Sequence, residues 1–291
     1  MIFSRPKKIV THSGSFHADD VFACAVLAYY HKQHNIKYTF IRTRDEDIIK
    51  KADIVVDVGT VYDETTERYD HHQTGGAGKR DNGIPYASFG LVWKKYGPLL
   101  CETTEQVEDI DRRLVQPIDA IDNGISISES VECGLYDYGI HGIVSVYEST
   151  WKEASNGKQQ HKNFVELVNF FANIIEREIK RSKSRSELLD IIQKAYDVAE
   201  NKEIIEIPYH VGIGSLMQVL GDAPEVMYAI AKSGDNWKAL ALRKEACSFE
   251  SRISFPEAWA GKRNKEFQEI SDEVEVDVTS EVESEQEEFD L

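Results

Sequence analysis

Short apolar runs alternate with amphipathic stretches through the first half of the chain. "KKIVTH" (7–12) reads as a buried strand, and "HADDVFACAVLAYYHKQ" (17–33) as a helix, with Val21, Phe22, Ala25, Val26 and Tyr29 recurring at helical spacing. "IKYTFIRT" (36–43) is a second strand, "DEDIIKKA" a short polar helix, and "DIVVDVG" (53–59) a third strand that stays apolar until Asp57. Strands alternating with helices predict right-handed crossovers and a mainly parallel sheet with helices on both faces. Functional groups in such sheets gather beyond the carboxyl ends of the strands, where His12 and Asp57 fall.

Further on, a glycine-rich loop, "QTGGAGKRDNG", precedes a helix over "YASFGLVWKKYG" with Gly97 as its C-cap. "TTEQVEDIDRRLVQPIDAIDNG" predicts another helix, started by a Thr103/Gln106 capping box and disturbed near Pro117. Two amphipathic helices are expected at about 161–181 and 184–200, the second opening at Ser184 with Glu187 in capping-box position. "EVMYAIAK" and "WKALALRKE" flank the turn signal "SGDN" and form an antiparallel hairpin, while "IPYHVGIGSLMQVLGDAP" supplies a strand, a loop and a helix. The pattern predicts an α/β domain over 1–160, a helical connector over 161–202, a smaller mixed α/β domain over 203–268, and a tail over 269–291.

Composition changes this picture at one end. The tail "EISDEVEVDVTSEVESEQEEFDL" holds eleven acidic residues and no basic one, so a net charge of −17 for 291 residues leaves the rest of the chain near −6. Such a segment is expected to be disordered and suited to a basic partner. The charge does not exclude a polyanionic substrate, because bound dications would dominate the local field. No apolar run is long enough to cross a bilayer and the amino terminus has no signal-peptide pattern, so the expectation is a cytoplasmic protein without a membrane partner. The four scattered cysteines suggest buried free thiols rather than disulfides or a zinc knuckle.

Candidate chemistry lies in the polar clusters "HSGSFHADD", "DVG" and "DHHQ", each behind a strand-like run, and in "DAIDNG" behind a helix. Any one of these residues could be a helix cap, a strand end or surface decoration. Together they offer imidazole and carboxylate ligands suited to divalent metals such as manganese. A two-metal hydrolytic centre needs about six ligands, including a bridging carboxylate, and His12, His17, Asp19, Asp57, His71 and Asp122 supply such a set.

The order "HSGSFHADD … DVG … RYDHHQ … AIDAIDNG", continued through "PYASFGLVW" and "SFESRISFPEAWAGKR", resembles the DHH phosphoesterase superfamily. Within it, the chain resembles the family around the melanocyte proliferating gene one protein, up to about residue 268. The resemblance implies that His12, His17 and Asp19 are first-motif ligands, that Asp57 bridges two Mn2+ ions, with Mg2+ as the alternative, and that His71 is a ligand. It also implies that Asp70 orients its neighbours and His72 faces the phosphoryl group as an acid or electrostatic partner. Asp122 is favoured over Asp119 as the last ligand, though spacing alone does not separate them, and Asp20 is expected as a cap or a group behind the ligands. Arg252 is the expected phosphate clamp, with Arg243 as a second substrate-binding candidate. Trp259 could stack on a base and "REIKRSKSR" (177–185) could track a phosphate backbone; the plainer readings are a core aromatic and a solvated helix end. Beyond "PEAWAGKR" the family's apolar strand and short His- and Gly-containing motif are not found.

The function so implied is a metal-dependent 3′–5′ exonuclease acting on RNA more than DNA. Its alternatives are a hydrolase of nucleotides, pyrophosphate or another small phosphate compound, and a metal-binding interaction protein without turnover. A homo-oligomer is compatible with the sequence.

Overall fold

The computed structural model describes residues 5–127, 138–153, 157–259, 262 and 289–290. The chain divides into two compact units, Met1–Lys183 and Ser184–Leu291.

Unit one is built on a five-stranded sheet in the order β2-β1-β3-β5-β4, formed by β1 (Lys7–Thr11), β2 (Tyr38–Arg42), β3 (Ile54–Val56), β4 (Tyr62–Asp63) and β5 (Arg68–Tyr69). All pairs are parallel except β4 with β5, as the alternating pattern predicts. Ile9 pairs with Phe40 on one side and Ile54 on the other, so the order of strands reverses around β1. Crevices for ligands open at such switch points, beyond the strands' carboxyl ends.

Helix α1 (Ala18–Gln33) joins β1 to β2, and the short α2 (Glu46–Lys50) joins β2 to β3. Residues 18–28 of α1 are all buried, because α1 lies inside a core shared with Phe89, Leu91 and Trp93 of α3 (Ser88–Leu100) and with Phe164 and Phe171 further on. The Phe22 ring is tilted against those of Phe171 and Phe89, with centroids 4.1 and 5.1 Å away, contacts worth roughly 0.5–1.5 kcal/mol each beyond burial. The opposite face carries a smaller cluster, Val10, Ala52, Val55 and Val58, with Ile41 and Ile49 packed on it.

Gly97 does not end α3, which runs on through Pro98 to Leu100. A Cβ at Gly97 would lie 2.9 Å from Trp93 Cε2, so the glycine makes room for the indole. Helix α4 (Thr104–Ile110) starts at Thr103, whose side chain accepts from the Gln106 N–H; it passes through a π-helical turn, Asp111–Val115, into α5 (Gln116–Asp122). The disturbance expected near Pro117 is that turn, since Pro117 has no N–H to continue the α-helical ladder. Helix α6 (Ile140–Tyr147) was not expected from the pattern.

The two helices expected at 161–181 and 184–200 are one, α7 (Gly157–Val198). Nothing in "RSKS" breaks a helix, so Ser184 lies inside α7 and does not start a new one. The first part of α7 buries Phe164, Leu167, Val168, Phe171 and Ile175 in the core of unit one. Its last part buries Ile192 in that of unit two, so the expected connector is divided between both units.

Unit two carries β6 (Ile204–Ile207), α8 (Ile213–Leu220), β7 (Tyr228–Ser233), β8 (Asn236–Ala241) and β9 (Phe289–Asp290), with sheet order β6-β7-β8-β9. The β7–β8 hairpin turns at Gly234, φ 61°, where the sequence predicts it. Its mixed α/β character agrees with expectation. The acidic tail lies outside the described residues except at β9, which pairs with β8. Among the described residues no helix is long and apolar enough to cross a membrane. Cys24 is buried and Cys101 half-buried, but Cys247 is exposed; Cys133 lies outside the described residues.

Candidate metal centre

The strands of unit one deliver the site. His12 follows β1 and is 2% exposed, Asp57 follows β3, and Asp70 follows β5. The turn from His12 to His17 opens α1, whose first turn holds Asp19 and Asp20, both fully buried. A helix N-terminus favours negative charge, which lessens the cost of placing two carboxylates there. Asp20 accepts the His17 N–H at 2.8 Å and lies 3.5 Å from Thr11 Oγ1, tying strand to helix across the turn. Both oxygens of Asp19 have no hydrogen-bond partner.

Asp57 has φ 55°, a left-handed conformation that costs a non-glycine residue energy and is kept where the surroundings enforce it. Its N–H donates to Tyr69 O at 3.0 Å, and Ser88 at the start of α3 donates its hydroxyl to Asp57 Oδ1 at 3.0 Å. His12 Nε2 is 3.3 Å from Asp57 Oδ2 and 3.4 Å from Asp20 Oδ2. On the other side of Asp57, His71 Nε2 lies 3.4 Å from its Oδ1, 3.1 Å from Asp122 Oδ2 and 3.8 Å from Asp19 Oδ2. Asp122 is the last residue of α5.

Three groups of potential ligands result: His12, His17 and Asp57; Asp57, His71 and His72; and His17, Asp19 and Asp122, each with donor atoms within 4.8 Å of one another. Asp57 and His17 each belong to two of them. Spacings of 3.1–3.4 Å between donors suit atoms sharing one ion, since two ligands about 2.1 Å from a metal at right angles stand about 3 Å apart. His12 Nδ1 faces Ser13 O at 3.3 Å, an arrangement that puts its proton on Nδ1 and leaves Nε2 as the lone pair. His12 Nε2 and His71 Nε2, both buried, make no well-formed hydrogen bond. Orphaned nitrogens and carboxylate oxygens around one point are what a cation satisfies. The donor set of imidazole and carboxylate therefore fits Mn2+ or Mg2+.

Electrostatics agree. Burial, together with the neighbouring charges of Asp57 and Asp122, lifts the Asp19 carboxyl well above the usual range, and burial lifts Asp20 to about 7. Burial also acts on Asp57, but the imidazoles of His12, His71 and His72, each with a nitrogen 3.3–3.4 Å from one of its oxygens, overcome it and hold that carboxyl well below the usual range. Burial acts against a charged His71, but the carboxylates of Asp122 and Asp57 beside it outweigh burial and push it up to about 10; His72 is pushed up to about 9, chiefly by Asp57. Without metal, then, the cluster holds protons at neutral pH where ions would sit. Mn2+ binding at pH 7 is expected to release at least about one proton per chain. Calorimetric titration in buffers of different ionisation enthalpy reads this directly, and an enthalpy independent of the buffer would contradict it.

Asp119 is not part of the cluster. It is buried with Oδ2 2.8 Å from Arg80 Nη1 and Oδ1 accepting the Gly90 N–H at 3.0 Å, so the structure brings Asp122, and not Asp119, to the other ligands. Asp70 accepts the Thr60 N–H at 2.5 Å and the His72 N–H at 3.0 Å, and its Oδ1 is 2.8 Å from His72 Nδ1. His72 is exposed and lines a cavity of about 230 Å3 with His12, His17, Arg44, Asp57 and Thr60. A second cavity of about 370 Å3 borders His17 and Asp122, lined by Phe16, Ile121, Val144 and Glu148.

Arg252 is not placed as a phosphate clamp. Its Nε donates to Arg243 O, its Nη1 to the carbonyls of Ala223 and Val226, and its Nη2 to those of Leu220 and Gly221. All five donors of the guanidinium are thus spent on main chain, four of them on the segment from Leu220 to Val226 that ends and follows α8. Arg243 lies 4.9 Å over the Phe249 ring. Trp259 is half-buried and stacks on Phe255, which stacks on Tyr228. In the basic run, Lys180 pairs with Glu176, Arg181 with Glu178 and Lys183 with Glu102, so these cations are held by carboxylates of their own surface. Residues that sequence reasoning missed are Ser88, which holds Asp57, and Arg44; the polar start of α3 and the arginine just past β2 were their only signals.

The family model MYG1_exonuc, described as Uncharacterised protein family (UPF0160), matches residues 8–280, past the limit read from the motifs. A protein of Mus musculus named MYG1 exonuclease is 27% identical over 300 residues, covering 91% of this chain and 77% of its own. The MYG1 protein of Dictyostelium discoideum is 28% identical over 286 residues, covering 90% and 86%. Among solved structures, RecJ of Thermus thermophilus in complex with Mn2+ aligns with 87% of this chain and 46% of its own at 13% identity. The TM-score of that alignment is 0.29.

Proposed function

The chain belongs to the MYG1_exonuc family, UPF0160, and on that premise we propose that it is a divalent-metal-dependent phosphodiester hydrolase, a 3′–5′ exonuclease acting on RNA. The observation that carries the reading is the convergence of His12, Asp57, His71 and Asp122, four residues far apart in the chain, with buried ligand atoms left unpaired among them. The exonuclease names of mammalian relatives support a nucleic-acid substrate.

In this reading His12, His17, Asp19, Asp57, His71 and Asp122 would hold two Mn2+ ions, with Mg2+ as the alternative, and Asp57, which stands in two of the ligand groups, would serve both. The ions, when bound, supply a water of lowered pKa and neutralise charge on the phosphoryl group. The protein's own part is placement. Asp70 fixes the His72 ring through Nδ1, leaving Nε2 as the group offered to the cavity, where it can hold a proton for the departing oxygen. Ser88 and the Tyr69 carbonyl hold Asp57 in its strained conformation.

The test is turnover of end-labelled RNA, single-stranded DNA and pyrophosphate by the full chain with Mn2+. A ladder shortening RNA from its 3′ end is expected. Cleavage of pyrophosphate alone, or no cleavage with metal bound, would overturn the assignment.

A further inference from the structure

Arg44 stands beside an acidic centre and forms no ion pair among the described residues. It follows β2 by two positions, in a segment whose main chain is pinned on both sides. The Thr43 N–H donates to Thr11 O at 2.8 Å and the Asp45 N–H to Thr43 Oγ1 at 3.0 Å, and Asp45 caps α2 by accepting from the N–H groups of Asp47 and Ile48. Arg44 Nε donates to Ser13 O at 3.3 Å, in the turn that separates His12 from His17. The guanidinium is thereby tethered to the loop of the first two expected ligands.

The nearby Arg42 is engaged elsewhere. It lies over the rings of Phe16 and Phe164 at 5.0 and 4.9 Å and donates to Gly14 O. Arg44 is exposed, and among the described residues lining the 230 Å3 cavity it is the sole lysine or arginine; the others include His12, His17, Asp57, Thr60, Asp70 and His72. With Nε on Ser13, the two terminal nitrogens keep their four N–H groups, enough to grip an oxyanion through a fork that a lysine cannot offer.

We infer that Arg44 is the phosphate-binding residue of this site, donating from its terminal nitrogens to the non-bridging oxygens of the phosphodiester that enters the cavity beside His72. The inference rests on the hydrolytic reading above for the identity of the phosphate, and replaces Arg252 in that role. An oxyanion there would meet Arg44 as the one guanidinium among described lining residues that are otherwise imidazole, carboxylate and uncharged groups.

The experiment uses the full chain loaded with Mn2+ and inorganic phosphate as the probe. In Arg44→Ala, phosphate affinity and the KM for RNA are expected to worsen by about tenfold to a hundredfold, as for the loss of charge-assisted hydrogen bonds, while bound Mn2+ stays as in the parent. Arg44→Lys is expected to recover part of the phosphate affinity, because it restores the charge without the fork. Phosphate affinity within twofold of the parent would overturn the inference. So would a parallel loss of Mn2+, which would make Arg44 a strut of the ligand loop. If the parent turns over no substrate yet binds phosphate in an Arg44-dependent way, the hydrolytic reading fails and the clamp stands.

Discussion

Asp57→Asn is expected to lower kcat/KM by about a thousandfold or more and to reduce Mn2+ binding to at most one ion per chain. Removing a single preorganised charge-stabilising group from an active site costs about 10²–10³ in rate, and Asp57 stands in two ligand groups at once. Its two oxygens face different partners: Oδ2 lies 3.3 Å from His12 and Oδ1 3.4 Å from His71. Asparagine offers one neutral carbonyl oxygen and an amide that cannot ligate. The substitution is a clean probe, because asparagine tolerates the left-handed φ of 55° as well as aspartate does. A circular-dichroism spectrum like that of the parent, with activity and metal content both reduced, is the predicted pattern. Activity within tenfold of the parent would mean that Asp57 bridges nothing.

Gly90→Ala is expected to destabilise the protein by about 3 kcal/mol, where the same change in an exposed helix interior stabilises by about 1 kcal/mol. The reason is the approach of Asp119. A Cβ at Gly90 would lie 1.9 Å from Asp119 Oδ2, 2.9 Å from its Cγ and 2.8 Å from Arg80 Nη2. The carboxylate cannot move away cheaply, since it is fully buried, accepts the Gly90 N–H and faces Arg80, which is itself held by Asp111 at 2.7 and 3.0 Å. Burial lifts the Asp119 carboxyl to about 7 even with Arg80 beside it, so losing that cation would leave it nearer neutral. At roughly 2–4 °C per kcal/mol, Tm should fall by about 6–12 °C. Asp122 lies three residues beyond Asp119 on the same helix, so Mn2+ affinity should weaken with the displacement, by about tenfold to a hundredfold. Gly157→Ala, where a Cβ meets open space, serves as the control and should leave Tm and metal affinity unchanged. A Tm for Gly90→Ala within 2 °C of the parent would show that Asp119 is not the strut described.

Much of this was legible in the sequence. The parallel sheet follows from strands such as "KKIVTH" and "DIVVDVG" alternating with helices, and the polar residues ending those strands are the ones brought together. Ligand type was readable because imidazole and carboxylate clustered after apolar runs have few structural uses. The fate of the arginines was not, since any guanidinium suits a phosphate and only tertiary structure shows whether carbonyls have claimed it. Arg252 is consumed by the end of α8, while Arg44, in an unremarked "RTRD", is left beside the cavity. Asp119 and Asp122 could not be separated by spacing, because the choice depends on Gly90 and Arg80, which come from other elements. Helix α7 looked like two because its apolar face changes partners midway, from the core of unit one to that of unit two.

The central claim is that side chains from separate strand ends and from α5 hold a pair of cations through a shared Asp57. Low-temperature electron paramagnetic resonance of the full chain titrated with Mn2+ tests it most directly. Two ions per chain with an exchange-coupled spectrum, lost in Asp57→Asn, is the predicted result; one ion or none, giving only the uncoupled six-line signal, would contradict it.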